Sequence, residues 1–346
     1  MSPYAKLIFT VSLITGTTIT VTSNHWVMAW TGLEINTLAI IPLIAKSHHP
    51  RAIEASTKYF LVQAAASATL LFSSVTNAWA TGQWDITQLT NKTSCLLLTL
   101  AVATKIGLVP FHFWFPEVVQ GSSLTTALLL STLMKFPPIT LLFLTSQSLD
   151  PALLTTMAIL STALGGWMGL NQTQTRKILA FSSISHLGWM AMIIIYNPKL
   201  TMLTFYLYTM ITSVVFLSLN TTNALKLSML MTSWTKVPML NATLLLTLLS
   251  LAGLPPLTGF MPKLLIIQEL TKQDMATLAT TISMLSLLSL FFYLRLAYYS
   301  TITLPPNPTN HMKQWYTDKS TNTSIAITTA LSSTLLPLSP LILSFI

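Results

Sequence analysis

The sequence predicts an all-α integral membrane protein of about eleven transmembrane helices. Three observations carry that expectation: an apolar composition almost without charge, recurrent apolar stretches of membrane-spanning length, and a one-sided distribution of basic residues. Of the 346 residues, 52% are hydrophobic and only 7% charged. Soluble domains carry about 25% charged residues, so this chain lacks the polar groups to cover a water-facing surface. Its solvent is lipid, and its length is read in spans rather than in soluble domains.

Stretches of about 20 apolar residues cross a hydrocarbon core. They occur near 3–22, 25–45, 58–80, 94–117, 124–145, 150–171, 178–196, 200–220, 240–270, 275–300 and 324–345. If these spans alternate sides, one face receives eleven basic residues: Lys6, Lys46, Arg51, Lys58, Arg176, Lys177, Lys226, Lys236, Arg295, Lys313 and Lys319. The other receives three: Lys92, Lys199 and Lys272. That asymmetry puts the N-terminus on the matrix or cytoplasmic face and the C-terminus opposite. No Arg-rich presequence precedes the first span, so the chain is expected to insert from the side on which it is made. Threonine, about one residue in seven, is carried by bonding its hydroxyl to the helix's own carbonyls.

Two spans cannot be regular. A straight helix over 240–270 would be about 46 Å long, against a core of about 30 Å. Its middle reads Gly253-Leu254-Pro255-Pro256-Leu257-Thr258-Gly259, which cannot stay a hydrogen-bonded helix. The fourth span holds Gly107-Leu108-Val109-Pro110. Freed backbone groups at membrane depth are tolerated only inside protein or beside a water-filled cavity. Discontinuous helices in corresponding places of two halves point to a transporter built from repeats. The expected arrangement is one polytopic domain over 1–346. Repeat one covers about 1–145, repeat two about 150–300, and an extra C-terminal helix about 324–345. Because five passages is an odd number, the second repeat is inverted; the broken helices are the fourth and the ninth.

Four charges lie near span centres: Glu34, Lys105, Lys135 and Lys263. A charge at that depth costs at least a few kcal/mol and is a functional candidate by default. Desolvation brings a lysine from about 10.4 toward neutrality and makes it a reversible proton carrier. Glu34 can serve as counter-ion to Lys105, releasing the proton when the pair separates. A potential of about 180 mV is worth about 4 kcal/mol per proton, or roughly three pKa units. One partly buried ion pair at about 4 Å supplies as much. The plainer reading is a structural ion pair or a lysine snorkelling to the interface. His112, in Pro110-Phe111-His112-Phe113-Trp114, and His186, in Ser182-Ser183-Ile184-Ser185-His186, are candidate proton relays.

Other chemistries find no support. Single scattered lysines do not track a phosphate backbone, so no nucleic-acid partner is expected. Cys95 is the only cysteine; it excludes a disulfide framework and an all-cysteine iron–sulfur cluster, and reads as a small buried hydrophobe. The histidines lack the spacing of bis-histidine haem ligation, and no glycine-rich nucleotide loop is present. Gly165 and Gly169 form a small-residue pair suited to helix packing.

Three segments carry a resemblance. They are Lys105-Ile-Gly-Leu-Val-Pro-Phe-His-Phe-Trp-Phe-Pro-Glu117, Arg176-Lys177-Ile-Leu-Ala-Phe-Ser-Ser-Ile-Ser-His186-Leu-Gly188, and Leu251-Ala-Gly-Leu-Pro-Pro-Leu-Thr-Gly-Phe-Met-Pro-Lys263. Together they resemble the antiporter-like subunits of NADH–quinone oxidoreductase, over essentially the whole chain and closest to animal mitochondrial members. The resemblance implies a proton-translocating core subunit in the membrane arm of that enzyme, coupled to quinone reduction elsewhere. The family's broken-helix lysines match Lys105 and Lys263, its next central lysine Lys135, its glutamate Glu34 and its relay histidine His186. No cofactor is expected on this chain; flavin, iron–sulfur clusters and ubiquinone belong elsewhere in the complex. Expected partners are neighbouring antiporter-like and small membrane subunits, with phospholipid such as cardiolipin. The expected location is the mitochondrial inner membrane, N-terminus in the matrix and C-terminus in the intermembrane space. Full-length relatives carry about three extra N-terminal helices, so the first span here matches their fourth and one wall is left to partners or lipid. The competing readings are a cation/proton antiporter outside the respiratory enzyme and a structural spacer.

Lys105, Lys135, Lys263 and His186 each lie near the middle of a span and are expected at one depth, as stations of a polar axis. Replacing Lys135 by Met should therefore lower the proton-to-electron ratio of the assembled enzyme. An assembled variant with the normal ratio would contradict the assignment.

Overall fold

The structure, a computed structural model, describes residues 2–47, 49–231, 233, 238–301 and 323–333. Within them the chain forms helices and no strands. The helices are α1 (Pro3–Thr22), α2 (Trp26–Ile44), α3 (Pro50–Thr81), α4 (Lys92–Ile106), α5 (Trp114–Gly121), α6 (Leu124–Ser131), α7 (Phe136–Leu144) and α8 (Pro151–Gly169). They continue with α9 (Thr175–Ile193), α10 (Pro198–Thr222), α11 (Leu227–Met231), α12 (Pro238–Ala252), α13 (Phe260–Lys272) and α14 (Ala276–Thr301). A further helix covers 323–333. Among the described residues, seven segments are long and apolar enough to cross a membrane: α1, α2, α3, the α6–α7 run Leu124–Leu144, α8, α10 and α14. The chain is thus a helical, multi-pass membrane protein. Lys236, Lys313, Lys319 and residues 334–345 of the expected last span lie outside the described residues.

The helix ends follow from local chemistry. Ser2 Oγ accepts from the Ala5 amide ahead of Pro3, and Asn91 and Asn197 cap α4 and α10 in the same way. His25 and His49 also act as caps, their Nδ1 atoms accepting from Val27 and Arg51. Threonines send their hydroxyls to carbonyls one turn back; buried Thr20 donates to Thr17 O at 2.8 Å.

The helices group into two compact units, Met1–Ser161 and Thr162–Ile346. In the first, α1 packs on α2 and α7, α3 on α4 and α5, and α4 on α7. In the second, the end of α8 packs on α9 and α14, α10 on α12 and α13, and α12 on α14. These pairs follow one scheme in both units, and the second unit adds α13 on α14 and α9 on α13 and α14. Two isolated backbone bridges repeat it: His25 with Asp85 joins the α1–α2 and α3–α4 connections, and Gln174 with Lys226 joins the α8–α9 and α10–α11 connections. The same interval in sequence separates Lys92 from Pro238 at the starts of α4 and α12, Gly107 from Gly253 at their ends, and Trp114 from Phe260 where helix resumes.

Small residues let the helices meet closely. A Cβ on Gly16 of α1 would lie 2.9 Å from the Gly32 carbonyl oxygen of α2, and one on Gly32 would lie 2.8 Å from that of Gly16. In the second unit a Cβ on Gly165 would sit 2.8 Å from the Ser185 amide, and one on Gly169 would sit 2.9 Å from the Phe292 ring. Gly16→Ala should accordingly cost about 1–3 kcal/mol and lower the thermal stability of the assembled protein. Leu7→Ala, on the exposed side of the same helix, should cost less, because it leaves the α1–α2 crossing intact. Equal stability of the two variants would contradict the close crossing.

Candidate functional site

In each unit one helix ends at a glycine and the next begins seven residues on, with a lysine beside the gap. In the first, α4 ends at Ile106 and α5 begins at Trp114. Gly107 adopts φ +84°, a left-handed conformation that glycine takes without a Cβ penalty. The Leu108 amide reaches back to Ala103 O at 3.0 Å and that of Gly107 reaches the same oxygen at 2.9 Å. Two further end carbonyls find side chains: Trp114 Nε1 donates to Thr104 O at 3.1 Å, and Gln63 Nε2 of α3 donates to Lys105 O at 3.3 Å.

The second interruption, between α12 and α13, is built alike. Gly253 has φ +83°, the Leu254 amide reaches back to Leu249 O at 3.4 Å, and the Gly253 amide donates to Ser250 O at 3.0 Å. Here the carbonyl of Ala252 is taken by Lys263 itself, whose Nζ donates at 2.8 Å. An ammonium at a helix C-terminus also faces the negative end of the helix dipole. The Trp189 ring of α9 lies 5.9 Å from the same nitrogen.

Lys105, in the last turn of α4, is 5% exposed and its Nζ makes no hydrogen bond. It borders a cavity of about 20 Å³ with Asn36, Tyr59, Gln63, Trp114 and Lys135. That volume holds about one water. Both polar atoms of the Asn36 amide are buried without partners. Glu34, one turn away on α2, accepts from Thr37 Oγ1 at 3.1 Å. Among the described residues no ion pair within 4.0 Å joins it to Lys105. Lys135 closes the 3₁₀ turn Leu133–Lys135 between α6 and α7 and is 2% exposed. Its Nζ stands 4.1 Å from the Phe115 ring centroid, a cation–π contact.

In the second unit a cavity of about 30 Å³ brings together Lys263, His186, Trp189, Tyr208 and Ser250. His186 Nε2 lies 3.1 Å from the Tyr293 hydroxyl, and its ring is 5.3 Å from that of Tyr208. Ser182 and Ser183, in the hydroxyl-rich run of α9, donate to Leu179 O and Ala180 O of their own helix, so His186 is the residue of that run that reaches α14. His112 takes a different place. It is buried in the first interruption with its ring against Phe113, but does not border the Lys105 cavity.

Of the residues singled out from sequence, the structure brings Lys105 and Lys135 to one cavity and Lys263 and His186 to another, with Glu34 beside the first. Sequence reasoning missed Asn36, Gln63, Tyr208 and Tyr293, whose significance depends on which helix faces them. It also missed the 3₁₀ turn before Lys135, although Pro137-Pro138 signals it: proline lacks the amide a continuous helix needs.

Lysines lie at these helix ends, each bordering a cavity the size of a water. Residues 23–289 match the family described as NADH:quinone oxidoreductase/Mrp antiporter, TM. Residues 290–343 match the NADH dehydrogenase subunit 2 C-terminus. The fold aligns with a chain of respiratory complex I from Thermus thermophilus at TM-score 0.87 and 25% identity, covering 99% of this chain and 80% of that one. It also aligns with a chain of the Mrp complex from Dietzia sp. at TM-score 0.81 and 16% identity, covering 97% of this chain and 75% of that one, a likeness of fold. NADH-ubiquinone oxidoreductase chain 2 of Gallus gallus is 77% identical over 346 residues, covering 100% of both chains. That of Struthio camelus is 76% identical over 344 residues, covering 99% of each. The chain belongs to the NADH–ubiquinone oxidoreductase chain 2 family, the antiporter-like, proton-translocating membrane subunits of respiratory complex I.

The two interruptions permit a controlled comparison. A Cβ on Gly253 would lie 2.9 Å from Lys263 Nζ, whereas one on Gly107 meets nothing closer than 3.6 Å. Gly107→Ala should thus show backbone strain alone, about 1–2 kcal/mol. Gly253→Ala should show the same strain and displace Lys263. A lower proton-to-electron ratio is expected for Gly253→Ala only; equal ratios would contradict the placement of Lys263.

Proposed function

We propose that each unit is a proton-carrying station, with Lys105 and Lys135 in the first, Lys263 and His186 in the second, and Glu34 as the charge that biases Lys105. The observation that carries this reading is the recurrence of one design: a left-handed glycine ends a helix, and a buried lysine faces a water-sized cavity beside the interruption. A lysine can hold a proton as ammonium, give it to a bridging water and remain as a buried amine. His186, with Tyr293 and Tyr208, offers polar groups through which a proton can leave or reach Lys263. His112, apart from the cavity, belongs to this reading only as a relay on the far side of Trp114.

On the same reading the chain makes eleven passages. The fourth and ninth are the discontinuous α4–α5 and α12–α13, and two inverted five-passage repeats are followed by a last passage that begins with 323–333. The common packing scheme and spacing support it. The one-sided basic residues support an N-terminus in the matrix and a C-terminus in the intermembrane space of the mitochondrial inner membrane. Quinone reduction, with its flavin and iron–sulfur centres, takes place on other subunits of the complex. Neighbouring membrane subunits and phospholipid such as cardiolipin cover the apolar outer side of α1.

Arginine separates a carrier from a spacer, because a guanidinium keeps the charge but does not release its proton. Lys105→Arg and Lys263→Arg, in the assembled complex reconstituted into vesicles, should each lower the proton-to-electron ratio as far as replacement by Met. Normal ratios for the Arg variants with reduced ones for Met would identify the lysines as structural charges.

A further inference from the structure

Charge is scarce in this chain, so the places where it pairs are informative. Among the described residues three ion pairs form, and two of them stay within one helix: Lys58 with Glu54 of α3 at 2.5 Å, and Lys272 with Glu269 of α13 at 3.5 Å. The third joins two helices. Lys58 Nζ lies 2.7 Å from Glu117 Oε2, which ties α3 to α5, the eight-residue helix that resumes after the first interruption. Lys58 thus holds one carboxylate of each helix. Neither Lys58 nor Glu117 takes part in the proton steps proposed above.

So short a helix has few side chains with which to fix its rotation. Trp114, Glu117 and Gly121 form the side of α5 that meets α3. The Tyr59 and Trp114 rings meet edge to face at 5.7 Å, a Cβ on Gly121 would lie 2.7 Å from the Arg51 carbonyl oxygen, and Lys58 holds Glu117. At about 3.6 residues per turn, Phe115 stands roughly 200° round the axis from Glu117. It is buried, and its ring carries Lys135 Nζ at 4.1 Å from the centroid. The ion pair on one side of α5 and the cation–π contact on the other are therefore two ends of one short lever. Lys58 is 41% and Glu117 53% exposed, so the pair adds little to stability. What it fixes is direction.

We infer that Lys58 and Glu117 are positioning residues for the Lys135 station: their ion pair sets the rotation of α5, and with it the aromatic face on which the Lys135 ammonium rests. The inference rests on the carrier reading of Lys135. With the pair intact, Phe115 faces Lys135 and the charged form has an attractive neighbour. With the pair broken, α5 is held by packing and by the Trp114 bond to Thr104 O, and it can turn. The ammonium then loses that ring, and the station takes up a proton less readily. Glu54 steadies Lys58 from its own helix but is no part of the tie to α5.

The test uses the assembled complex in vesicles, with NADH-driven quinone reduction and proton translocation measured together. Glu117→Gln keeps the shape but releases α5 from Lys58. It should lower the proton-to-electron ratio as far as Phe115→Leu does, and less than Lys135→Met, at an unchanged level of assembled complex. Lys58→Arg keeps both ties and should leave the ratio normal, as should Glu54→Gln, which breaks only the tie within α3. Adding Glu117→Gln to Phe115→Leu should lower the ratio no further, because the pair acts through that ring. A normal ratio for Glu117→Gln beside a lowered one for Phe115→Leu overturns the positioning role and leaves the carrier reading. A normal ratio for Lys135→Met overturns the carrier reading itself. A further fall in the double variant, or a fall in Glu54→Gln equal to that in Glu117→Gln, also overturns the positioning role. Should Glu117→Gln fail to assemble, Lys58→Glu combined with Glu117→Lys restores the tie with its charges exchanged. A normal ratio then supports the inference and a lowered one opposes it.

Discussion

Backbone carbonyls released inside a helical passage must be bonded again, and that requirement organises both units. At the first interruption the amides of Gly107 and Leu108, the Trp114 indole and the Gln63 amide take three successive carbonyls of α4. At the second, local amides take two carbonyls of α12 and the Lys263 ammonium takes that of Ala252. In lipid an unbonded carbonyl costs several kcal/mol. The interruptions can therefore exist only where neighbouring helices bring donors, and α3 and α13 are packed to do so.

The same constraint leaves room for chemistry. Ending a helix at a left-handed glycine turns the chain aside, and beside each turn the packing leaves a cavity of about 20 or 30 Å³. A lysine borders each. Burying an ammonium is unfavourable; the Phe115 face contributes for Lys135, and a helix C-terminus and the Trp189 ring for Lys263.

What could be read from the sequence was whatever stands out against an apolar background. Lys105, Lys135 and Lys263 are conspicuous because charge is expensive there, and Gly107–Pro110 and Gly253–Gly259 because glycine and proline punctuate helices whatever the tertiary context. Partners were harder to see. Gln63 and Asn36 look like ordinary polar residues until α3 and α2 are placed against α4, and Tyr293 is one aromatic among many until it meets His186. His25 and His49 are unusual caps, recognisable only once the helix starts are known. The turn before Lys135 was legible in Pro137-Pro138 but lacks the glycine that marks the other two interruptions.

The central claim is that a water bridges the lysine at an interruption to buried polar groups. A structure of the assembled membrane arm that shows ordered water tests it most directly. The account predicts one water between Lys105 Nζ and the Asn36 amide, connected onward toward Glu34. A dry cavity, or Lys105 bonded directly and only to Glu34, would contradict it.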